Sequence, residues 1–254
     1  MRMKIYIPFA KAAFASSLLV LAVACGSYAS ADVMIDIGPD TLGVESGALG
    51  LPGSPAADSN GNYGPTVIGS GISLTINNLN TSGSAAGTIA WRDKGNSTST
   101  ETLVNIGEDF VKNDSGIIRL TLSGVAAGTY NAFGYHLDAR WKQSEEIKVF
   151  LQTTPGGSTF AENGTPGNAD FAFGGTEGNN GVNNLTTANI EATRSAFQFV
   201  SDGTNDVIII FDGSAASDTE VPLNGLQFSI IPEPSSVVMV LLGFIGFLLI
   251  RGRR

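Results

Sequence analysis

From Thr66 to Ile231 no apolar pattern runs far before Gly, Asn or Asp interrupts it. Ile72-Ser73-Leu74-Thr75-Ile76 alternates with period two, which makes one face apolar and the other polar. Further short runs follow at 116–122, 130–137, 147–152, 170–173, 196–200, 207–211 and 226–231. Strands this short, separated by turn formers, predict an all-β fold, an antiparallel jelly-roll-like sandwich or barrel. No stretch carries a 3.6-residue period between caps, and Arg140 to Lys148 has room for one helical turn. Phe171, Phe173, Phe197, Phe199, Phe211 and Phe228 alternate within strands and are expected in the core. Gly124 and Gly128 mark the corners of a strand-to-strand turn from which Tyr130 re-enters the sheet. Asp202-Gly203 supplies the positive φ of a tight hairpin between the runs at 196–200 and 207–211.

Charge narrows the partners. The chain carries a net charge of −9, which excludes nucleic-acid binding driven by phosphate contacts. One Cys and one His exclude zinc fingers, iron–sulfur clusters and His-rich metal sites.

The first 31 residues read as a secretory signal. Arg2, Lys4 and Lys11 form its basic region, Ala12 to Ala24 its apolar region, and Ala29-Ser30-Ala31 its cleavage site. Cleavage after Ala31 leaves a chain that starts at Asp32 and has no cysteine, so no disulfide can form. A second reading uses Cys25: Leu21-Ala22-Val23-Ala24-Cys25 loosely resembles a bacterial lipobox, with Ala22 where Leu is usual.

At the other end Pro232-Glu233-Pro234 precedes Ser235, Ser236 and an uncharged apolar run from Val237 to Ile250. Arg251, Arg253 and Arg254 close the chain. The run is near the short limit for a transmembrane helix, and the arginines would stay on the cytoplasmic side. A Pro-Glu-Pro triplet, a short apolar helix and a terminal Arg cluster resemble the PEP-CTERM sorting signal of Gram-negative bacteria that make exopolysaccharide. That resemblance covers Pro232 to Arg254. It implies processing by exosortase, a membrane enzyme with a catalytic Cys that removes the tail. It also implies a membrane-anchored precursor and delivery to the cell surface or its matrix. The competing expectation is a plain tail anchor that is never removed. The two ends hold six of the 14 basic residues but only one of the 23 acids, so the body between them is strongly acidic.

The body carries a more diffuse likeness. Trp91 to Gly95, Asp109 to Val111, Leu122 to Val125 and Gly128 to Tyr130 resemble jelly-roll modules of PEP-CTERM proteins. Pro222-Leu223-Asn224-Gly225-Leu226-Gln227-Phe228 resembles the closing strand of malectin-like or galactose-binding-like sandwiches. These resemblances imply fold class and no ligand. The expected organisation is a signal peptide at 1–31, a loop-rich leading segment at 32–65, a β-sandwich at 66–231 and the sorting tail at 232–254.

Candidate chemistry is sparse. His136 is the sole histidine any Ser-His-Asp triad could use, and no Gly-x-Ser-x-Gly nucleophile turn occurs. Alternation puts Phe133, Tyr135 and Leu137 on one face, and His136 with Asp138 on the polar one. Glu145-Glu146, Glu108-Asp109 and Asp138 are the acids open to a glycoside hydrolase reading. Asp58, Asn60 and Asn62 place oxygen donors at alternate positions, as a calcium loop would, but they are equally an Asx-rich turn. Tyr63 and Gly69 stand where an EF-hand loop has its Gly and Glu. Asp202, Asp206 and Asp212 are a weaker oxygen cluster. Sugar binding would use exposed aromatics, drawn from Tyr63, Trp91, Tyr130 and Trp141, with Trp141 favoured by its polar neighbours. The expectation is an exported, non-catalytic surface or matrix protein associated with exopolysaccharide, with no cofactor required. The alternative is a secreted polysaccharide hydrolase or lyase on the same fold.

Overall fold

The computed structural model describes residues 32–37, 48–50, 63–93, 101–107, 109–138, 146–168, 186–215 and 221–232. The chain divides into a body, Ala31–Ile231, and a second unit of Met1–Ser30 with Pro232–Arg254. Apart from Pro232, the second unit lies outside the described residues, and with it Ala29, Glu233, Pro234, Arg251, Arg253 and Arg254. Ala31 lies outside them too.

The body is all-β, built mainly from two antiparallel sheets packed face to face. The first sheet contains β1 (Val33–Asp36), β2 (Leu49–Gly50), β8 (Gly128–Tyr135), β12 (Ser195–Ser201) and β15 (Gly225–Ile230), in the order β12-β8-β15-β1-β2. The second contains β3 (Tyr63–Gly69), β4 (Ile72–Asn77), β7 (Ile117–Ser123), β9 (Glu146–Gln152), β10 (Phe160–Glu162) and β13 (Val207–Asp212), in the order β10-β9-β13-β7-β4-β3. The two-residue β11 (Gly167–Asn168) also pairs with β9. A small third sheet orders β14 (Val221–Leu223), β6 (Asp109–Asn113) and β5 (Ile89–Asp93). β1 and β2 run parallel; the other pairings are antiparallel.

Alternation explains the packing. Along β7, Ile118, Leu120 and Leu122 point inward, while Arg119 and Thr121 point out. Leu74 and Ile76 do the same on β4, and Ile209 and Phe211 on β13. The facing sheet contributes Tyr130, Ala132, Phe197, Phe199, Leu226 and Phe228 to the same continuous core. Each fully buried Leu, Ile or Phe contributes about 1.5–3 kcal/mol of transfer free energy. Tyr130 stacks on Phe199 at 4.9 Å and meets Phe228 edge-on at 5.6 Å. Phe197, Phe199, Phe211 and Phe228 are therefore core, as their alternation predicts; Phe171 and Phe173 lie outside the described residues.

Three expectations need correction. Val33–Asp36 is an interior strand with Ile35 fully buried, so the segment ahead of Thr66 is not merely a loop-rich lead. Asp202-Gly203 does not turn a hairpin. It carries the chain from β12 in one sheet to β13 in the other, although Gly203 does adopt the positive φ of 76°. The Gly124–Gly128 turn is a crossing of the same kind, from β7 to β8, and the Tyr130 hydroxyl braces it by donating to the Ala126 carbonyl at 2.9 Å. Lastly, Glu146 to Lys148 open β9 instead of ending a helical turn.

The helices lie elsewhere. Thr102–Ile106 and Thr187–Ala192 touch each other and form a satellite core of Val104, Tyr135, Leu137 and Ile190. The second begins with a capping box, in which Thr186 and Asn189 satisfy each other's backbone N–H groups. Tyr135, on the outer side of β8, is thereby buried, and burial pushes its pKa up to about 12. Its hydroxyl donates to Gln227 Oε1 at 2.6 Å.

Candidate functional site

The polar positions of the second sheet's outer face do not stay scattered. Register sets Arg119 beside Asn77 on one side and Ile210 on the other, and Ile210 beside Phe150. One step along, Gln152 lies beside Phe160, and its Oε1 accepts from the Ile208 N–H. The Arg119 guanidinium reaches diagonally across this surface and sits over the Phe160 ring, 5.7 Å from its centroid. A shallow depression of about 390 Å³ opens there. Its floor includes Arg119, Gln152, Phe160 and Ile208, and its rim includes Thr81, Ser82, Ser158, Asn205 and Asp206.

Three turns wall the depression, and side chains hold each of them. Asn80 Oδ1 accepts from the Ser82 N–H at 3.0 Å, the Ser82 hydroxyl at 2.7 Å and the Ser84 N–H at 3.0 Å. Asp202 Oδ1 accepts from the N–H groups of Thr204 and Asn205, at 2.9 and 2.8 Å, while Oδ2 accepts from Asn205 Nδ2 at 2.7 Å. These bonds hold the Asp202 carboxyl below its usual pKa. In the third turn Gln152 Nε2 donates to the Gly157 carbonyl at 2.7 Å, and Gln152 Oε1 accepts from the Ile208 N–H at 3.2 Å. The walls are thus shaped before any ligand arrives, which lowers the ordering cost of binding.

Arg119 is the one strand-borne charge in this depression, and it has no carboxylate within ion-pair distance among the described residues. Its Nε is buried and has no hydrogen-bond partner. Burial pushes the guanidinium below its usual pKa, since desolvation disfavours the charged form.

The sole histidine is not on a polar face. Along β8 the side chains of Tyr130 and Ala132 face the other sheet, and His136 follows them at the same parity, packs on Phe211 and is fully buried. Its Nδ1 lies 2.9 Å from the Pro222 carbonyl and its Nε2 lies 3.0 Å from Ser195 Oγ. A carbonyl can only accept, so Nδ1 carries the proton and Nε2 accepts from the serine hydroxyl. Phe211 packs edge-on against the ring at 5.0 Å. Burial outweighs the Pro222 bond and lowers the His136 pKa to about 4. Ser195 and His136 resemble two members of a catalytic triad in contact. A carbonyl stands where a triad has its carboxylate, however, and both side chains are sealed from solvent. The pair ties β8, β12 and β14 together.

The remaining candidates fall as follows. Tyr63 and Tyr130 are core, and Trp91 is half-buried edge-on to Tyr63 at 5.0 Å. None of these three is an exposed sugar platform. Trp141 lies outside the described residues, as do Asp58, Asn60, Asn62, Glu108 and Glu145. Glu146 is exposed and pairs with Lys148, which also pairs with Glu162 at 3.4 Å. Asp138 is buried. Asp202, Asp206 and Asp212 do not assemble, because β13 separates Asp206 from Asp212, whose carboxylate caps Ser214. Among the described residues no three His, Cys, Asp or Glu side chains converge as a metal site.

Arg119 and Phe160 were not legible as partners in sequence. Period-two alternation puts Arg119 on the polar face of its strand, but nothing local says that β13, β9 and β10 lie beside it.

No family model matches the chain. No curated protein matches it either. Among solved structures it is similar to the plant receptor-like kinase ANX2, at 10% identity and a TM-score of 0.37, over 58% of this chain and 39% of that one. The ANX2 ectodomain from Arabidopsis thaliana gives 10% identity and a TM-score of 0.36, over 58% of this chain and 41% of that one. A family 35 carbohydrate-binding module from Clostridium thermocellum gives 8% identity and a TM-score of 0.32, over 62% of this chain and 92% of that one. The chain thus spans less than half the length of the ANX2 chains. TM-scores this low define no shared site, and the fold described above rests on the strand pairings themselves.

Proposed function

We propose that this is an exported, non-catalytic protein of the bacterial cell surface or extracellular matrix, whose jelly-roll-like body associates with exopolysaccharide. The sequence of Pro232 to Arg254 supports sorting by exosortase, with a membrane-anchored precursor. The observation that carries the binding role is the depression on the outer face of the second sheet. Its floor combines Phe160 and Ile208 with Arg119 and Gln152, and hydroxyl, amide and carboxylate groups rim it, the mixture that recognises a sugar ring and its hydroxyls. The sealing of His136 in the core supports a non-catalytic reading, since it takes away the histidine that acid–base chemistry would use. Nothing in the site favours the hydrolase or lyase alternative.

Two measurements test this reading. Intact mass of the protein from surface and membrane fractions should show loss of residues 1–31 and of the segment from near Pro232 onward. A retained tail makes it a simple anchored protein instead. The host's own exopolysaccharide should retard the protein in affinity electrophoresis, and unchanged migration rejects the sugar-binding role.

A further inference from the structure

We propose that the depression around Arg119 selects carboxylated sugars, the uronate residues of an acidic polysaccharide, through a bidentate contact between the Arg119 guanidinium and the sugar carboxylate. The proposal rests on the sugar-binding reading of the same site and adds the chemical class of the ligand.

The argument starts from what Arg119 lacks. A half-buried guanidinium in a folded protein ordinarily faces a carboxylate, because burial without a counter-charge is costly. Acids outnumber bases in this chain by 23 to 14, so a partner was available in abundance. Yet the contact found for Arg119 is the face of Phe160, and its Nε is left without a hydrogen bond. Its place over the Phe160 ring holds the guanidinium at the depression that it helps to line. A planar fork held in that way matches a carboxylate with two parallel hydrogen bonds.

The rim suits the rest of a sugar. Thr81 and Ser158 are exposed hydroxyls without hydrogen bonds inside the described protein, and Asp206 is an exposed carboxylate that accepts from hydroxyl groups. Asp206 is also the one acid that lines the depression, so it opposes an anionic ligand. With a net charge of −9 the chain as a whole repels polyanions. Any preference for a polyanion must therefore come from a local cation, and among the residues that line the depression Arg119 alone is basic.

The test uses the full chain in mild detergent with two polymers, polygalacturonate and the same polymer after carboxyl reduction. Polygalacturonate should bind at least about tenfold more tightly, the size of one charge-assisted contact. Arg119→Gln should erase that preference, with polygalacturonate losing at least about tenfold more affinity than the reduced polymer. Arg119→Lys, which keeps the charge but loses the fork, should fall between, and Asp206→Asn should strengthen polygalacturonate binding. Unaltered melting temperatures of these variants exclude a folding defect as the cause. Equal binding of both polymers by the unaltered protein overturns the uronate proposal and leaves the sugar-binding role standing. Binding of neither also overturns the uronate proposal, and the host's own exopolysaccharide then decides the sugar-binding role. A preference that survives Arg119→Gln shows that another group supplies it and overturns the assignment to Arg119.

Discussion

Asn224→Ala is expected to lower stability by about 3 kcal/mol, read as a fall in melting temperature of roughly 9 °C for a unit of this size. Asn224 occupies the corner between β14 and β15 and is fully buried. Its Oδ1 accepts from the Leu137 N–H at 2.7 Å, and its Nδ2 donates to the Gly107 carbonyl at 3.3 Å. Its backbone adds two more ties, donating to the Tyr135 carbonyl at 2.9 Å and accepting from the Ile37 N–H at 2.8 Å. One residue thus joins the end of β8, the loop after the first helix and the end of β1. Truncation leaves the Leu137 N–H in the core with no partner and no access to water, and it is this orphaned group that makes the loss large. Gly225 beside it has no room for a Cβ, which would stand 2.8 Å from both the Ile35 carbonyl and an Ile106 methyl. Gln198→Ala, on the exposed face of β12, is the control and should change stability by less than about 0.5 kcal/mol. Equal losses at the two positions would show that the Asn224 bonds contribute little.

The second large effect is a dependence on acid. His136 has a folded pKa of about 4 against an ordinary 6.5, so between those values the unfolded chain binds a proton that the folded chain does not. Stability is complete above pH 6.5 and drops as pH falls toward 4, by about 3 kcal/mol in all. Protonation also sets a second N–H against Ser195 Oγ, whose own proton must then turn toward the Gly134 carbonyl at 3.4 Å. His136→Gln should flatten the slope between pH 6.5 and 4 in chemical denaturation. Asp202 acts only at lower pH, because its carboxyl titrates below the usual value. Tyr135 acts only in base, where stability falls from pH 10 toward its folded pKa of about 12. Parallel pH profiles for the unaltered protein and His136→Gln would remove His136 as the cause.

Local pattern revealed the strands whose two faces differ. Ile72–Asn77 and Ile117–Ser123 lie where apolar alternation places them, and Val207–Asp212 lies where a short apolar run does. The Leu223-Asn224-Gly225 segment also behaves as its resemblance to a closing strand implies, for β15 pairs with both β8 and β1. The pattern was silent where stability comes from tertiary contact. Val33–Asp36 is short and gains its place by lying between β15 and β2. The two helices are too brief to show a period, and they persist by packing on Tyr135 and Leu137. His136 was misread because Phe133, Tyr135 and Leu137 look like the core-facing set, whereas Tyr130, Ala132 and His136 share the side that faces the other sheet. The candidate site was the least legible part. Its three walls come from turns far apart in sequence, and its floor is assembled from strands that only the sheet order brings together.

The position of β15 governs when the body can form. The first sheet has its last strand in sequence near its centre, with β8 and β12 on one side and β1 and β2 on the other. Until residues 225–230 are present, that sheet exists as two unconnected halves. A chain that emerges from its N-terminus, as during synthesis, therefore holds no completed first sheet until residues 225–230 have followed. Emergence of the chain and closure of the first sheet are thereby ordered in time by strand order alone.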